Sequence, residues 1–308
     1  IICLLVGIYH YHNFTNYTHE IQDSPQLVQT KQDFPTFTLK SAGGYSFKTL
    51  VIDDLGNGNF TWEEAAAESW CSGLGVPGNP YVLENITFSP KGTSGLIINN
   101  SHADFMVKNC SFTKAGLDKY GIYLGNTTNG ILTNNSVYKN NGFGLELHRC
   151  VNITLSNNTF RNNDREAILI RNANSTIVAN NTFYLDNLRT IHFYNLTLHN
   201  NKFQGGGLYL SEEKDELLTL EADDTNRVNG KPIYLYVNKN SLKSDDFMEA
   251  GQIILINCNE SAINGLEIQN TSIAVSLYYS HNNSVINVNV SYNSEFGIYL
   301  RNCSLNTI

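Results

Sequence analysis

A phrase of about 23 residues recurs from near position 95 to the last residue. Gly121 onward reads GIYLGNTTNGILTNNSV, Gly144 onward GLELHRCVNITLSNNTF, and Ala167 onward AILIRNANSTIVANNTF. Each copy holds a small residue, an apolar-x-apolar triplet, a polar corner, a second short apolar stretch, and Asn-Asn-Ser/Thr before an aromatic or branched residue. A unit this short cannot bury a core alone, so successive copies must stack and share one. Apolar residues stand two apart, as in Ile122 and Leu124, Leu145 and Leu147, and Ile168 and Ile170. That is strand alternation, which excludes helical repeats. Short strands between Asn and Gly corners stack in parallel. The spacing predicts an all-β chain, a right-handed parallel β-helix with about three strands per turn and a rise of about 4.8 Å per rung.

Two columns sharpen this expectation. Five residues after the anchors Ile122, Leu145, Ile168, Ile253, Val275 and Ile298 come Thr127, Cys150, Ala173, Cys258, Ser280 and Cys303, all small, as an inward corner with little room requires. Asn135, Asn158, Asn181 and Asn201 each precede Val137, Phe160, Phe183 or Phe203 by two residues. These asparagines are expected to form an interior ladder in which each amide donates to and accepts from its neighbours, since a lone buried amide is costly. The aromatic column reads as core. Three of the six cysteines fall in the small-residue column. Cys258 and Cys303 would be two rungs apart, about 10 Å and beyond disulfide reach, so free thiols are expected there; the pairing of Cys71 and Cys110 stays open.

Outside the repeats the chain divides further. IICLLVGIYH, with no initiator Met, reads at residues 1–9 as the tail of a truncated signal peptide or membrane anchor, and residues 10–50 as a polar stalk. The β-helix is expected over 51–308. Near 61–70 a short N-terminal capping helix is expected, because Thr61 and Glu64 form a capping-box pattern ahead of three alanines. Trp62 and Trp70 would plug the first rung; a carbohydrate platform is the alternative for them. Residues 211–250 are expected to interrupt the coil as an insertion. Their acidic run, Glu212, Glu213, Asp215, Glu216, Glu221, Asp223 and Asp224, is a candidate for calcium but lacks EF-hand spacing, so a solvated surface is preferred. Ile308 falls in mid-rung, so the natural chain is expected to continue and the C-terminus to be incomplete.

Only 16% of the chain is charged, and Asn fills much of the polar role. About eighteen Asn-x-Ser/Thr triplets occur, among them Asn13, Asn16 and Asn59. An extracellular or cell-surface location and a glycoprotein are therefore expected. A net charge of -8 with no basic stripe argues against nucleic acid. Nothing in the sequence argues for oligomerisation.

The GIYL and GLEL phrases with Asn-Asn-Thr corners, the segment Val228-Asn-Gly-Lys-Pro-Ile-Tyr and the following Gly251-Gln-Ile-Ile-Leu-Ile-Asn-Cys258 resemble the NosD-type right-handed β-helix family. The stretch from Asn59 to Tyr81 is similar to the opening of large secreted archaeal β-helix proteins. The resemblance covers about three quarters of the chain. It implies this fold and an association with carbohydrate binding or sugar hydrolysis. The family name also implies copper-site maturation, but two Met and eight scattered His do not support copper, so no cofactor is expected.

Chemistry then belongs to the outward columns. Taking the outward positions of the first strand in successive rungs puts Tyr123, Glu146 with His148, Leu169 with Arg171, His192 with Tyr194, and then Tyr209 with Ser211 on one strip. As a shallow sugar cleft, this strip would set Tyr faces against pyranose rings and use Glu146, His148, Arg171 and His192 for hydroxyls. A hydrolase would need a carboxylate pair, Glu146 with Asp164 or Glu166, and a lyase a calcium cluster plus a basic residue such as Arg171. The chain carries neither the Asn-Thr-Asp, Asp-Asp and Gly-His-Gly set of polygalacturonases nor an aligned aspartate cluster of the pectate lyase kind. The expected function is a structural or adhesive β-helix that binds glycans. Polysaccharide cleavage by a hydrolase or lyase is the alternative, and a non-binding spacer the third reading.

Overall fold

The computed structural model describes residues 44–211 and 213–308. The expected leader or anchor at 1–9, residues 10–43 of the expected stalk, and Glu212 lie outside the described residues. Nearly every element is a short strand. A twelve-stranded sheet runs from Tyr45–Phe47 through Ile86–Phe88, Ser111–Thr113, Ser136–Tyr138, Thr159–Arg161, Thr182–Tyr184 and Lys202–Gln204 to Phe296–Arg301, and a thirteen-stranded sheet, which gives two strands to most turns, forms the other two walls of the first coil. Register within the coil is mostly one repeat per rung, as in Leu145↔Ile168 and Phe160↔Phe183. Because Tyr45–Phe47 pairs in parallel with Ile86–Phe88, the coil starts inside the stretch expected to be stalk.

The repeat phrase explains how the rungs stack. Its small first residue sits where backbones nearly touch, since a Cβ on Gly144 would lie 2.5 Å from the Ala167 carbonyl oxygen. Its polar corners take left-handed φ, and asparagine, which tolerates that conformation, supplies most of them. Phe88 stacks on Phe112 at 4.7 Å, Phe160 on Phe183 at 5.2 Å, and Phe183 on Phe203 at 4.4 Å, close to the rung spacing. Each of these buried rings contributes about 2–3 kcal/mol. Thr127, Cys150, Ala173, Cys258 and Ser280 are buried, and Cys303 is partly so. The described cysteines, including Cys71 and Cys110, are free thiols; burial pushes Cys110 up to about 12 and Cys71 to about 11, which leaves them unreactive.

Asn135, Asn158, Asn181 and Asn201 are buried and joined side chain to side chain at 3.0–3.1 Å, with Asn226 continuing the row. Each amide also donates to a backbone carbonyl, as Asn158 does to Leu132. A second row, Asn140 to Asn163 to Asp186, runs along another corner.

A helix at Trp62–Ala66 is shorter than expected. Thr61 accepts from the Glu64 N–H while the Glu64 carboxylate accepts from the Thr61 N–H. Trp62 stacks on Tyr81 at 5.0 Å, and Trp70 packs edge-on against Phe47 and Phe60. Both indoles are buried, so neither offers a ring face as a sugar platform.

The stretch 211–250 is only partly an insertion. Glu221–Ala222, Arg227–Val228 and Lys231–Val237 join the sheets, leaving the short helix Lys214–Leu217 and the loop around Ser244–Phe247 outside them. The strands Arg227–Val228 and Lys231–Val237 pair antiparallel across Asn229-Gly230. Strand direction therefore reverses, and a second coil of parallel strands begins. Its sheet is buried on both faces: Ile253 and Leu255 point into their own core, while Ile254 and Ile256 pack with Leu208, Leu210 and Leu217 at the end of the first. Gln252, fully buried, seals that end. Its Oε1 accepts from the Leu208 N–H (3.0 Å) and its Nε2 donates to the Leu208 carbonyl (2.7 Å), replacing the backbone of a next strand.

Candidate functional site

The outward column of the thirteen-stranded sheet is fixed by register as Ile97, Tyr123, Glu146, Leu169, Arg189 and Tyr209. Beside it Gly125, His148, Arg171 and Ile191 form a second file. This corrects the strip expected from the sequence at His192 and Tyr194. The rung above Leu169 is 20 residues long, because the corner between Phe183 and Leu188 has three residues fewer than that between Phe160 and Ile168. Arg189 and Ile191, not His192 and Tyr194, continue the strip.

Tyr123, Glu146, His148 and Arg171 do come together. Tyr120 and Phe143, at the start of neighbouring strands, stack at 5.4 Å, and Tyr120 leans on Tyr123 at 5.0 Å. The Tyr123 hydroxyl lies 3.0 Å from His148 Nδ1. Burial and the Arg149 and Arg171 charges lower the His148 pKa, while burial raises that of Tyr123. A neutral imidazole thus accepts from the phenol through Nδ1. Glu146, though on the outward face, is only 2% exposed beneath these rings. Burial raises its pKa; the Arg171 guanidinium and the Tyr120 hydroxyl partly offset this, and Glu166 adds to it. Arg171 Nε stands 3.5 Å from Glu146 Oε1, and Nε and the carboxylate Oε2 are left without hydrogen bonds.

Further along, Arg189 bonds Glu166 at 3.1 Å and lies over the Tyr209 ring at 4.6 Å. Tyr209 meets Phe296 and Tyr299 of the second coil edge-on at 6.5 Å. Phe296 is 39% exposed. The result is a band of rings, two guanidinium groups and carboxylates that lies on five successive rungs and ends against the second coil. Asp164 stands apart at the corner, and its neighbour Arg165 pairs with Asp118. Tyr120, Phe143, Arg189, Phe296 and Tyr299 are the members that sequence reasoning missed. The Asn181 to Asn201 spacing of 20 residues was the signal that would have found Arg189.

His192 and Tyr194 lie one corner away, lining a hollow of about 400 Å³ with Asn172, Asn174 and Glu216. There His192 Nδ1 is 2.8 Å from the buried Glu216, which also accepts from Ser211 Oγ at 3.0 Å. Among the described residues no group of three or more His, Cys, Asp or Glu side chains is arranged to hold a metal ion.

No curated protein matches the chain. Among solved structures, it is similar to the catalytic unit of a thermostable GH87 alpha-1,3-glucanase from Streptomyces thermodiastaticus, with 12% identity over 74% of this chain and 61% of that one and a TM-score of 0.33. The A-module of the Azotobacter vinelandii mannuronan C-5 epimerase AlgE4 shares 10% identity over 69% and 64%, with a TM-score of 0.23. A tailspike protein of an E. coli bacteriophage, in complex with a pentasaccharide, shares 10% over 73% and 55%, with a TM-score of 0.26. The chain spans roughly three fifths of the length of each. Residues 94–247, half of the sequence, match the family described as a right-handed β-helix region, and the chain belongs to that family.

Proposed function

We propose that this chain is a secreted or cell-surface β-helix module, structural or adhesive in role, that binds an extended glycan along the band from Tyr120 to Tyr209. The observation that carries this reading is the combination of outward rings with hydrogen-bonding side chains fixed on a rigid sheet. The half-buried Tyr120 and Tyr123 rings suit the apolar faces of pyranoses, supported by Phe143, which stacks on Tyr120 and lies under Arg165, and His148, Arg171 and Arg189 suit their hydroxyls. The band spans five rungs, four steps of about 4.8 Å each, the length of a short oligosaccharide. His192 and Tyr194 offer a second contact point around the corner. The GIYL and GLEL phrases and residues 228–258 support assignment to the NosD-type branch. The helix at Trp62–Ala66, with two buried indoles behind it, suits the role of lid over the first rung. A signal peptide or membrane anchor at residues 1–9 and glycosylation at exposed sequons belong to the same reading.

One observation favours polysaccharide cleavage as a second reading: Glu146 has a raised pKa and an unpartnered oxygen, and Glu166 lies near, as an acid and base would. A glycan-array screen of the full chain with calcium present, followed by reducing-end and unsaturated-product assays on every glycan bound, tests both. Binding without product is the expected result. Product that Glu146→Gln abolishes while binding persists would put the enzyme reading first, and silence in every assay with a folded chain would favour a spacer.

A further inference from the structure

The corner after the strands Ile86–Phe88, Ser111–Thr113, Ser136–Tyr138 and Thr159–Arg161 carries an unusual set of side chains. Hydrogen bonds from the Gly92 N–H to the Lys114 carbonyl (3.4 Å), from the Lys114 N–H to the Lys139 carbonyl (3.2 Å) and from the Lys139 N–H to the Arg161 carbonyl (3.0 Å) bring four cationic residues to one edge on successive rungs. Lys91, Lys114 and Lys139 are exposed, Arg161 is half-buried, and among the described residues none of the four makes an ion pair or a side-chain hydrogen bond. The lysines hold φ of +52°, +64° and +52°. Elsewhere on this chain that left-handed conformation falls mostly to asparagine, including Asn162 on the next rung of the same corner. Lysine is the less favourable choice in that conformation, and like charges about 4.8 Å apart repel. Local conformation therefore disfavours the row three times in succession, and no described carboxylate pairs with it within 4 Å, on a chain of net charge -8.

We propose that Lys91, Lys114, Lys139 and Arg161 form a docking row for an acidic polysaccharide laid along the solenoid axis. A polymer with one carboxylate or sulfate per sugar has charges spaced by one pyranose, comparable to one rung, so each rung faces one anion. An extended acidic peptide repeats on one side only every two residues, about 6.6–6.8 Å, and falls out of step. Nucleic acid carries a higher charge density, which the anionic remainder of the molecule repels. The row does not depend on the aromatic band, from which the Asn140-Asn141-Gly142 corner separates it.

Asparagine is the informative substitution, because it removes each charge while suiting the backbone. The test is affinity electrophoresis of the full chain through polygalacturonate, with sulfated dextran and single-stranded DNA in parallel, over a range of salt. The wild-type chain should be retarded by both acidic polysaccharides at low salt and released as salt rises. Lys91→Asn, Lys114→Asn and Lys139→Asn combined should fold at least as stably, lose about tenfold in affinity and show a shallower salt dependence. Lys202→Asn, Lys231→Asn and Lys239→Asn combined make the same charge change elsewhere and should leave retardation near the wild-type value. No retardation of the wild-type chain, equal loss in both triple variants, or equal affinity for DNA would each overturn the proposal.

Discussion

Asp186 shows what one atom does inside a solenoid. It ends the inner row that runs from Asn140 through Asn163, accepting from the Asn163 N–H at 3.1 Å and its Nδ2 at 2.9 Å. Asn140 and Asn163 also donate to a carbonyl one rung back, Phe112 and Val137 respectively; a carboxylate in that place has no proton to give unless it is protonated. Burial pushes the Asp186 pKa to about 8, from 3.8, and Asp164 adds to the rise while the two Asn163 hydrogen bonds oppose it. A carboxyl raised in this way contributes stability that is complete below about pH 4 and lost as pH climbs through 8. Asp186→Asn should therefore stabilise the chain by several kcal/mol at pH 8 and flatten the pH dependence between 4 and 8. Urea unfolding of both proteins across that range measures this, and parallel curves would exclude the account.

At the scale of the element, the decisive piece is the strand Gln252–Ile256. Its apolar run is buried on both faces, so strand alternation is invisible in it and the sequence reads as one more rung. The hairpin at Asn229-Gly230 instead turns the sheet around, and the strand becomes the wall shared by two coils. Gln252 supplies the donor and acceptor that the missing rung above Leu208 would have supplied, with Ser272 Oγ as an added donor to the Leu208 carbonyl at 2.8 Å. Gln252→Leu keeps the volume and removes both hydrogen bonds, leaving the buried Leu208 N–H without an acceptor. The expected loss is about 2–3 kcal/mol. In hydrogen exchange, the Leu208 amide should lose its protection first; unchanged protection there would show that the seal lies elsewhere.

For the whole molecule, the fold was largely legible because a repeated phrase repeats its physics. Small residues mark crowded corners, Phe160, Phe183 and Phe203 mark the core, and asparagines mark left-handed turns and ladders. What the phrase could not show lies where it changes length. A corner three residues shorter before Leu188 moves Arg189 onto the strip and His192 off it, and no side-chain pattern announces that deletion. Tyr209 was legible as a member of the strip, but Phe296 and Tyr299 were hidden for another reason, since they meet it only because the second coil folds back on the first. The buried state of Glu146 is likewise a property of neighbouring rungs. The band that results is the molecule's proposed binding surface, and its affinity for sugar is the central claim. The measurement that tests it most directly is the affinity of the full chain for the best glycan found on an array, compared with Tyr123→Ala and Arg189→Ala, with circular dichroism confirming the fold. Each substitution removes a contact the glycan would use and should weaken binding by about tenfold, or roughly 1.4 kcal/mol. Unchanged affinity in both would contradict the claim and move the site off this face.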